Sequence, residues 1–280
     1  MRPVELVEVA EGGVMGWRSL ERARWGTVAS VGEAHIITEL KSDLLGSVEL
    51  LGRGEERVIR RLATGSRVPG SALLARHLLA RERRSLGALE GLTGIPRVED
   101  PAAWASLAHG RRAASVLLRE YISGEPLHRA RILPRNFFDL LDSLVLTLHE
   151  HGVCHNDLHK EQNILVQPDG RPALIDFQLS SVHGRRGGLF RSRVQDDLRH
   201  LQKHRRRYTR DGRGPAGEAE QHGAFHGLPR TGTSALWRRT GKPLYLLLTR
   251  GLLNTRDGEE RRPSSGPWPE WTDALGPDGS

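Results

Sequence analysis

H-N-D-L-H-K-E-Q-N-I-L-V, residues 155–166, and A-L-I-D-F-Q-L, residues 173–179, decide how this chain is read. Between them lies Pro168-Asp169-Gly170, a turn signal flanked by two apolar runs. The stretch therefore reads as a loop bearing Asp157, then a hairpin, then a second carboxylate, Asp176, where the return strand ends. Immediately upstream the pattern predicts a helix over 136–151. Asn136 stands at its cap with Asp139 three residues on, and Phe137, Leu140, Leu141, Leu144, Val145 and Leu148 share one face before Gly152 ends it.

Further out, Ile36-Ile37, Val48 to Leu51 and Val58 to Leu62 are short apolar segments. Gly46 and Gly52-Arg53-Gly54 punctuate them, as in a small antiparallel sheet. In residues 71–90, Leu74, Leu78, Leu86 and Leu89 recur at helical spacing with Glu82 on the same stripe. A carboxylate there needs a cation or a cavity, because burying it alone is costly. Residues 115–119 read as a strand and Glu120 to Pro126 as a connector. The expected fold class is α+β, a small antiparallel-sheet lobe joined to a mainly helical one.

Two carboxylates and an amide at these places are what phosphoryl transfer needs. The transferred group passes through a loose transition state, so the protein mainly positions reactants and neutralises charge. One carboxylate orients or deprotonates an acceptor hydroxyl, and a second carboxylate with an amide oxygen holds Mg2+, which prefers hard oxygen ligands. Asp157, Asp176 and Asn163 supply those three parts.

On these motifs the chain resembles the protein-kinase-like superfamily, and most closely small bacterial members akin to RIO-type kinases and lipopolysaccharide-core (Kdo/heptose) sugar kinases. H-N-D-L stands where eukaryotic kinases carry H-R-D-L, and I-D-F-Q where they carry D-F-G. The resemblance implies that ATP and Mg2+ are the cofactors, that Asp157 is the catalytic base, and that Asn163 and Asp176 bind the metal. It also implies that Glu120, Tyr121 and Ile122 form the adenine-contacting hinge. The implied layout is a flexible arm over 1–33 and a kinase-like domain over 34–255, with lobes at about 34–119 and 127–255 joined by a hinge at 120–126. A disordered tail over 256–280 follows.

The chain departs from the family pattern in three places. Gln162 occupies the position where the family places Asn, with Asn163 one later; Asn163 is the favoured ligand because the following I-L-V then aligns. Lys41 to Ser47 holds one glycine where kinases often have three, so its backbone amides cover phosphates less closely. The strand that normally carries a phosphate-binding lysine reads R-V-I-R-R-L, residues 57–62. Arg60 paired with Glu82 is the candidate for that role. Arg61, which alternation points to the other face, is the alternative.

The rest of the sequence bounds these readings. Formal net charge is +8 over 280 residues, and residues 183–213 alone hold 11 basic and 3 acidic side chains. That field is either a solvated face or an attractor of anionic partners, including an anionic membrane surface. Nucleic acid is disfavoured, since only Phe190 and Tyr208 offer stacking there. Cys154 is the single cysteine, which excludes an intrachain disulfide and reads as a small core residue. His155 reads as a structural histidine beneath the loop rather than a zinc ligand with His159. Asp196 and Asp197 read as helix-opening residues, and an acidic residue near here braces the catalytic loop in related kinases. Residues 243–253 read as a core helix, or as a membrane-facing surface suited to a lipid-linked acceptor. With neither a signal-peptide pattern nor a membrane-length apolar run, a cytoplasmic protein is expected, with peripheral contact at the inner face of the membrane as a further option. The acceptor is a protein serine or threonine hydroxyl or a sugar hydroxyl. A nucleotide-binding scaffold without turnover is the alternative of a different class.

Overall fold

A computed structural model describes residues 34–65, 68–101, 104, 115–209 and 260–273. The flexible arm expected over 1–33 and the apolar segment at 243–253 lie outside the described residues.

Five strands form the first sheet: β1 (His35–Asp43), β2 (Gly46–Arg53), β3 (Glu56–Ala63), β4 (Val98–Glu99) and β5 (Val116–Glu120). Their order is β1-β2-β3-β5-β4, and every pairing is antiparallel. Gly46 opens β2 so close to β3 that a Cβ there would lie 1.7 Å from the Leu62 carbonyl oxygen, and only glycine fits. Gly54, at φ 60°, makes the turn from β2 to β3.

Helix α1 (Ser71–Ala88) follows; Glu82, Leu86 and Leu89 of the expected stripe are buried, but its first turns are set one residue off. Leu74 is 47% exposed, while Ala75, Leu79, Glu82 and Leu86 are buried. Glu82 therefore does not sit at the edge of the stripe reaching water; it is 0% exposed.

The second half contains β6 (Glu125–Pro126), β7 (Ile132–Pro134), α2 (Phe137–Glu150), β8 (Val153–Cys154), β9 (Ile164–Val166), β10 (Pro172–Leu174), β11 (Ser181–Val182), α3 (Gly188–Thr209) and β12 (Glu270–Thr272). The small sheets run β10-β9-β6, β11-β8 and β12-β7. Asn136 holds the cap position of α2 but makes no side-chain capping bond. Leu141, Val145 and Leu148 of α2 pack with Leu158, Ile164, Leu174, Phe177 and Leu201 in one core. Each such buried side chain is worth about 1.5–3 kcal/mol, so Leu158, completely buried beside Asp157, pins the loop from within.

The tail expected to be disordered over 256–280 is ordered in part. Residues 260–273 dock, β12 pairs in parallel with β7, and Trp268 and Trp271 pack on the core. Among the described residues no helix is long and apolar enough to cross a membrane.

Candidate active site

Strand register decides which arginine faces the site. Arg60 pairs across β2 with Glu49, and its Nη2 lies 2.6 Å from the Glu49 carboxylate. The expected Arg60–Glu82 pair is thus absent. The neighbour on the opposite face, Arg61, donates from Nη1 to Glu82 Oε2 at 3.3 Å and stands 3.7 Å from Asp176 Oδ1. Arg119 of β5 shares this face and brings its Nε within 3.4 Å of Glu82 Oε1. Burial pushes the Glu82 carboxyl above the ordinary glutamate value, and Arg61 and Arg119 pull it back.

α1 is also tied to the segment that follows Asp176. The Arg81 guanidinium donates to the carbonyls of Leu179 at 2.9 Å and Ser180 at 2.7 Å, and Ser180 Oγ donates to Ser85 Oγ at 2.6 Å. Asp176 itself has φ 65°, a left-handed conformation uncommon outside glycine, and accepts a bond from Gln178 Nε2 at 2.7 Å. Glu82, Arg61 and Asp176 therefore form one linked set.

The loop places Asp157 2% exposed, with its carboxylate accepting from Asn163 Nδ2 at 3.0 Å. Asn163 Nδ2 also meets the Asp157 carbonyl at 3.1 Å, so the amide nitrogen is used and the amide oxygen is left for another partner. A 3-10 turn over Glu161–Asn163 absorbs the extra residue, so Asn163, not Gln162, meets Asp157. Lys160 Nζ and His159 Nδ1 lie 3.1 and 3.0 Å from the Asp157 oxygens. Burial alone would raise this carboxyl; the His159 contact and the charges of Lys160, His159 and His155 outweigh it and hold Asp157 below the ordinary aspartate range. The sequence reading missed Lys160, although a cation three residues from the motif aspartate was visible.

Asp197 of α3 carries the loop from below. Its two oxygens accept the backbone N–H groups of His155 at 2.8 Å and Asn156 at 2.9 Å, and His149 Nε2 stands 3.2 Å away. Asn156 takes φ 64°, which asparagine tolerates, and its amide donates to Leu179 O and Ser181 Oγ. His155 is fully buried, with Nε2 3.0 Å from Ile175 O, and packs on Phe177. That is a structural histidine. Burial pushes the Cys154 thiol up to about 12, so it is no nucleophile at neutral pH.

Glu120, Tyr121 and Ile122 lie where β5 passes into the connector before β6. The Glu120 carboxylate meets Arg97 Nε at 3.2 Å, and the Glu120 backbone N–H donates to the Arg97 carbonyl at 2.8 Å. At the β1–β2 tip, Asp43 Oδ1 accepts the amides of Leu45 at 2.8 Å and Gly46 at 3.2 Å. Those two amides, expected to cover phosphates, are satisfied by the loop's own carboxylate. Lys41, Arg61 and Gln178 border a cleft beneath this tip.

A sheet arginine paired with a helix glutamate, together with a loop bearing a buried aspartate and a second carboxylate across a hairpin, is the arrangement of a kinase-like phosphotransferase. The sequence pattern of the phosphotransferase enzyme family matches residues 32–183, and the chain belongs to that family. No curated protein matches the chain.

Proposed function

We propose that this protein transfers the γ-phosphoryl group of ATP, with Mg2+, to a hydroxyl acceptor. The observation that carries the reading is Asp157, held below the ordinary aspartate range and bonded to Asn163, whose carbonyl accepts the N–H of Ile175 beside Asp176, itself linked through Arg61 to Glu82. The donor set suits a hard cation, since Asp176 and the Asn163 amide oxygen are both oxygen ligands. Bound Mg2+ supplies charge neutralisation at the phosphate oxygens. Arg61 grips phosphate from the sheet, and Asp157 accepts the hydroxyl proton or orients that hydroxyl for attack. The backbone of 120–122 receives the adenine. The acceptor is a protein hydroxyl or, as in lipopolysaccharide-core kinases, a sugar hydroxyl, and the reaction takes place in the cytoplasm, at or near the inner face of the membrane.

A radiolabelled-ATP screen of protein and sugar acceptors, with Asp157→Asn alongside, tests this. Label transferred by wild type and not by the variant supports the reading. The second reading, a nucleotide-binding scaffold, is favoured by the occupied Leu45 and Gly46 amides and by the absence of lysine from β3. It predicts ATP binding without transfer to any acceptor.

A further inference from the structure

Residues 260–273 are anchored at their start by polar contacts to the large lobe. Glu260 Oε2 lies 2.8 Å from His128 Nε2 and 3.4 Å from Arg129 Nη2. Arg262 is 4% exposed, and its guanidinium donates to the carbonyls of Leu127, Ala130 and Pro267 while facing the Tyr208 ring. Its Nη1 and Nη2 donors are met by these carbonyls, while Nε is buried without a partner among the described residues. Here the side chain gathers the turn after the hinge connector.

The backbone of the same residue reaches the catalytic loop. Arg262 N–H donates to Glu161 Oε2 at 3.2 Å. Glu161 lies between Asp157 and Asn163, is 0% exposed, and has the Tyr208 hydroxyl 2.8 Å from the same oxygen. Its other oxygen stands 3.6 Å from both His204 Nδ1 and Arg207 Nη1. His204 Nε2 stands 2.7 Å from the Leu158 carbonyl and donates its proton there. Glu161 thus opens the 3-10 turn that absorbs the extra loop residue and is held there from α3 and from residues 260–273.

We propose that residues 260–273 are a working part of the active site, with Arg262 a positioning residue that acts through Glu161 on the segment from Asp157 to Asn163. Without the Arg262 side chain the strap loses its hold on the Leu127 and Ala130 carbonyls and carries its backbone N–H away from Glu161, and a buried carboxylate that loses one of its donors lets the loop relax to find water. Docking of this strap then sets the transfer rate without touching the nucleotide. Only the rate arm of the test rests on the phosphotransfer reading.

The test uses the full chain as wild type, Arg262→Ala, Tyr208→Phe and Arg135→Ala. Arg135 pairs with Asp273 at the exposed end of the strap and is the control. Arg262→Ala and Tyr208→Phe should each speed amide exchange at 158–163 about tenfold, lower kcat for Mg-ATP hydrolysis about tenfold and change KM for ATP less than about twofold. Arg135→Ala should leave all three unchanged. Should Arg262→Ala not fold, Tyr208→Phe, which removes one hydroxyl, carries the same expectation. Unchanged exchange at 158–163, or a raised KM with unchanged kcat, would overturn the proposal. A wild type that turns over no ATP but shows the exchange response sustains the tether and counts against the phosphotransfer reading instead.

Discussion

Arg61 stands between Glu82 and Asp176, 3.3 Å from one carboxylate and 3.7 Å from the other, and so links sheet, helix and candidate metal ligand through one guanidinium. Arg60, one residue away, serves the opposite face by closing on Glu49. The two arginines should therefore fail differently when removed. Arg61→Ala should weaken Mg-ATP binding at least about tenfold and also lower stability, since the fully buried Glu82 then keeps only Arg119. Arg60→Ala should leave the buried Glu49 unpaired and lower stability by about 3 kcal/mol, with nucleotide affinity in the surviving folded fraction near wild type. Calorimetry and thermal unfolding of both variants check this; the reverse pattern would return the phosphate role to Arg60.

Asp157→Asn keeps the shape of the side chain and removes its charge. Turnover should fall about 10²–10⁴-fold, as for loss of a general base, while Mg-ATP affinity stays within about threefold. Single-turnover transfer assays and equilibrium binding measure the two effects separately. Wild-type turnover by the variant would refute the assignment.

Asp197→Ala should act through the loop, not through the ligand. It strips the His155 and Asn156 amides of their acceptor, and two buried N–H groups left unmet cost about 3 kcal/mol together. Chemical denaturation should show that loss, and hydrogen exchange should localise it to residues 155–156. Stability equal to wild type would mean that water replaces Asp197 at no cost.

His200 provides a pH signature. Burial, then the charges of His159 and Arg199, depress its imidazole from 6.5 to about 3. Its folded pKa lies below its unfolded one, so below pH 6.5 the unfolded chain takes a proton that the folded chain refuses. Stability should then fall with decreasing pH, by up to about 1.4 kcal/mol per unit from this group, until pH approaches the folded value. His200→Gln should flatten that slope in denaturation curves measured between pH 6 and pH 4, whatever its absolute stability; an unaltered slope would contradict the assignment.

Much of the site was legible because its chemistry is local. Asp157, Asn163 and Asp176 lie within one loop and one hairpin, where spacing and turn residues carry the geometry. Arg60 and Arg61 could not be separated so simply. Both face alternatives are open until the register that sets Arg60 opposite Glu49 is known, and register is a long-range property. The reading slipped only in the first turns of α1, for a related reason: Leu74 is exposed, while the small Ala75 faces the core. Residues 260–273 read as loop because Gly and Pro erase local periodicity. What orders them is tertiary: the buried Arg262, and Trp268 and Trp271 seated on the core.

The central claim is that Asp176 and Asn163 form a Mg-nucleotide site beside Arg61. Titration calorimetry of Mg-ATP into wild type and Asp176→Ala, in one buffer and with folding checked by circular dichroism, tests it most directly. The account predicts saturable binding by wild type, dependent on Mg2+ and weakened at least about tenfold by the substitution. Well-folded wild type that takes up no Mg-ATP, or a variant that binds it equally well, would contradict the account.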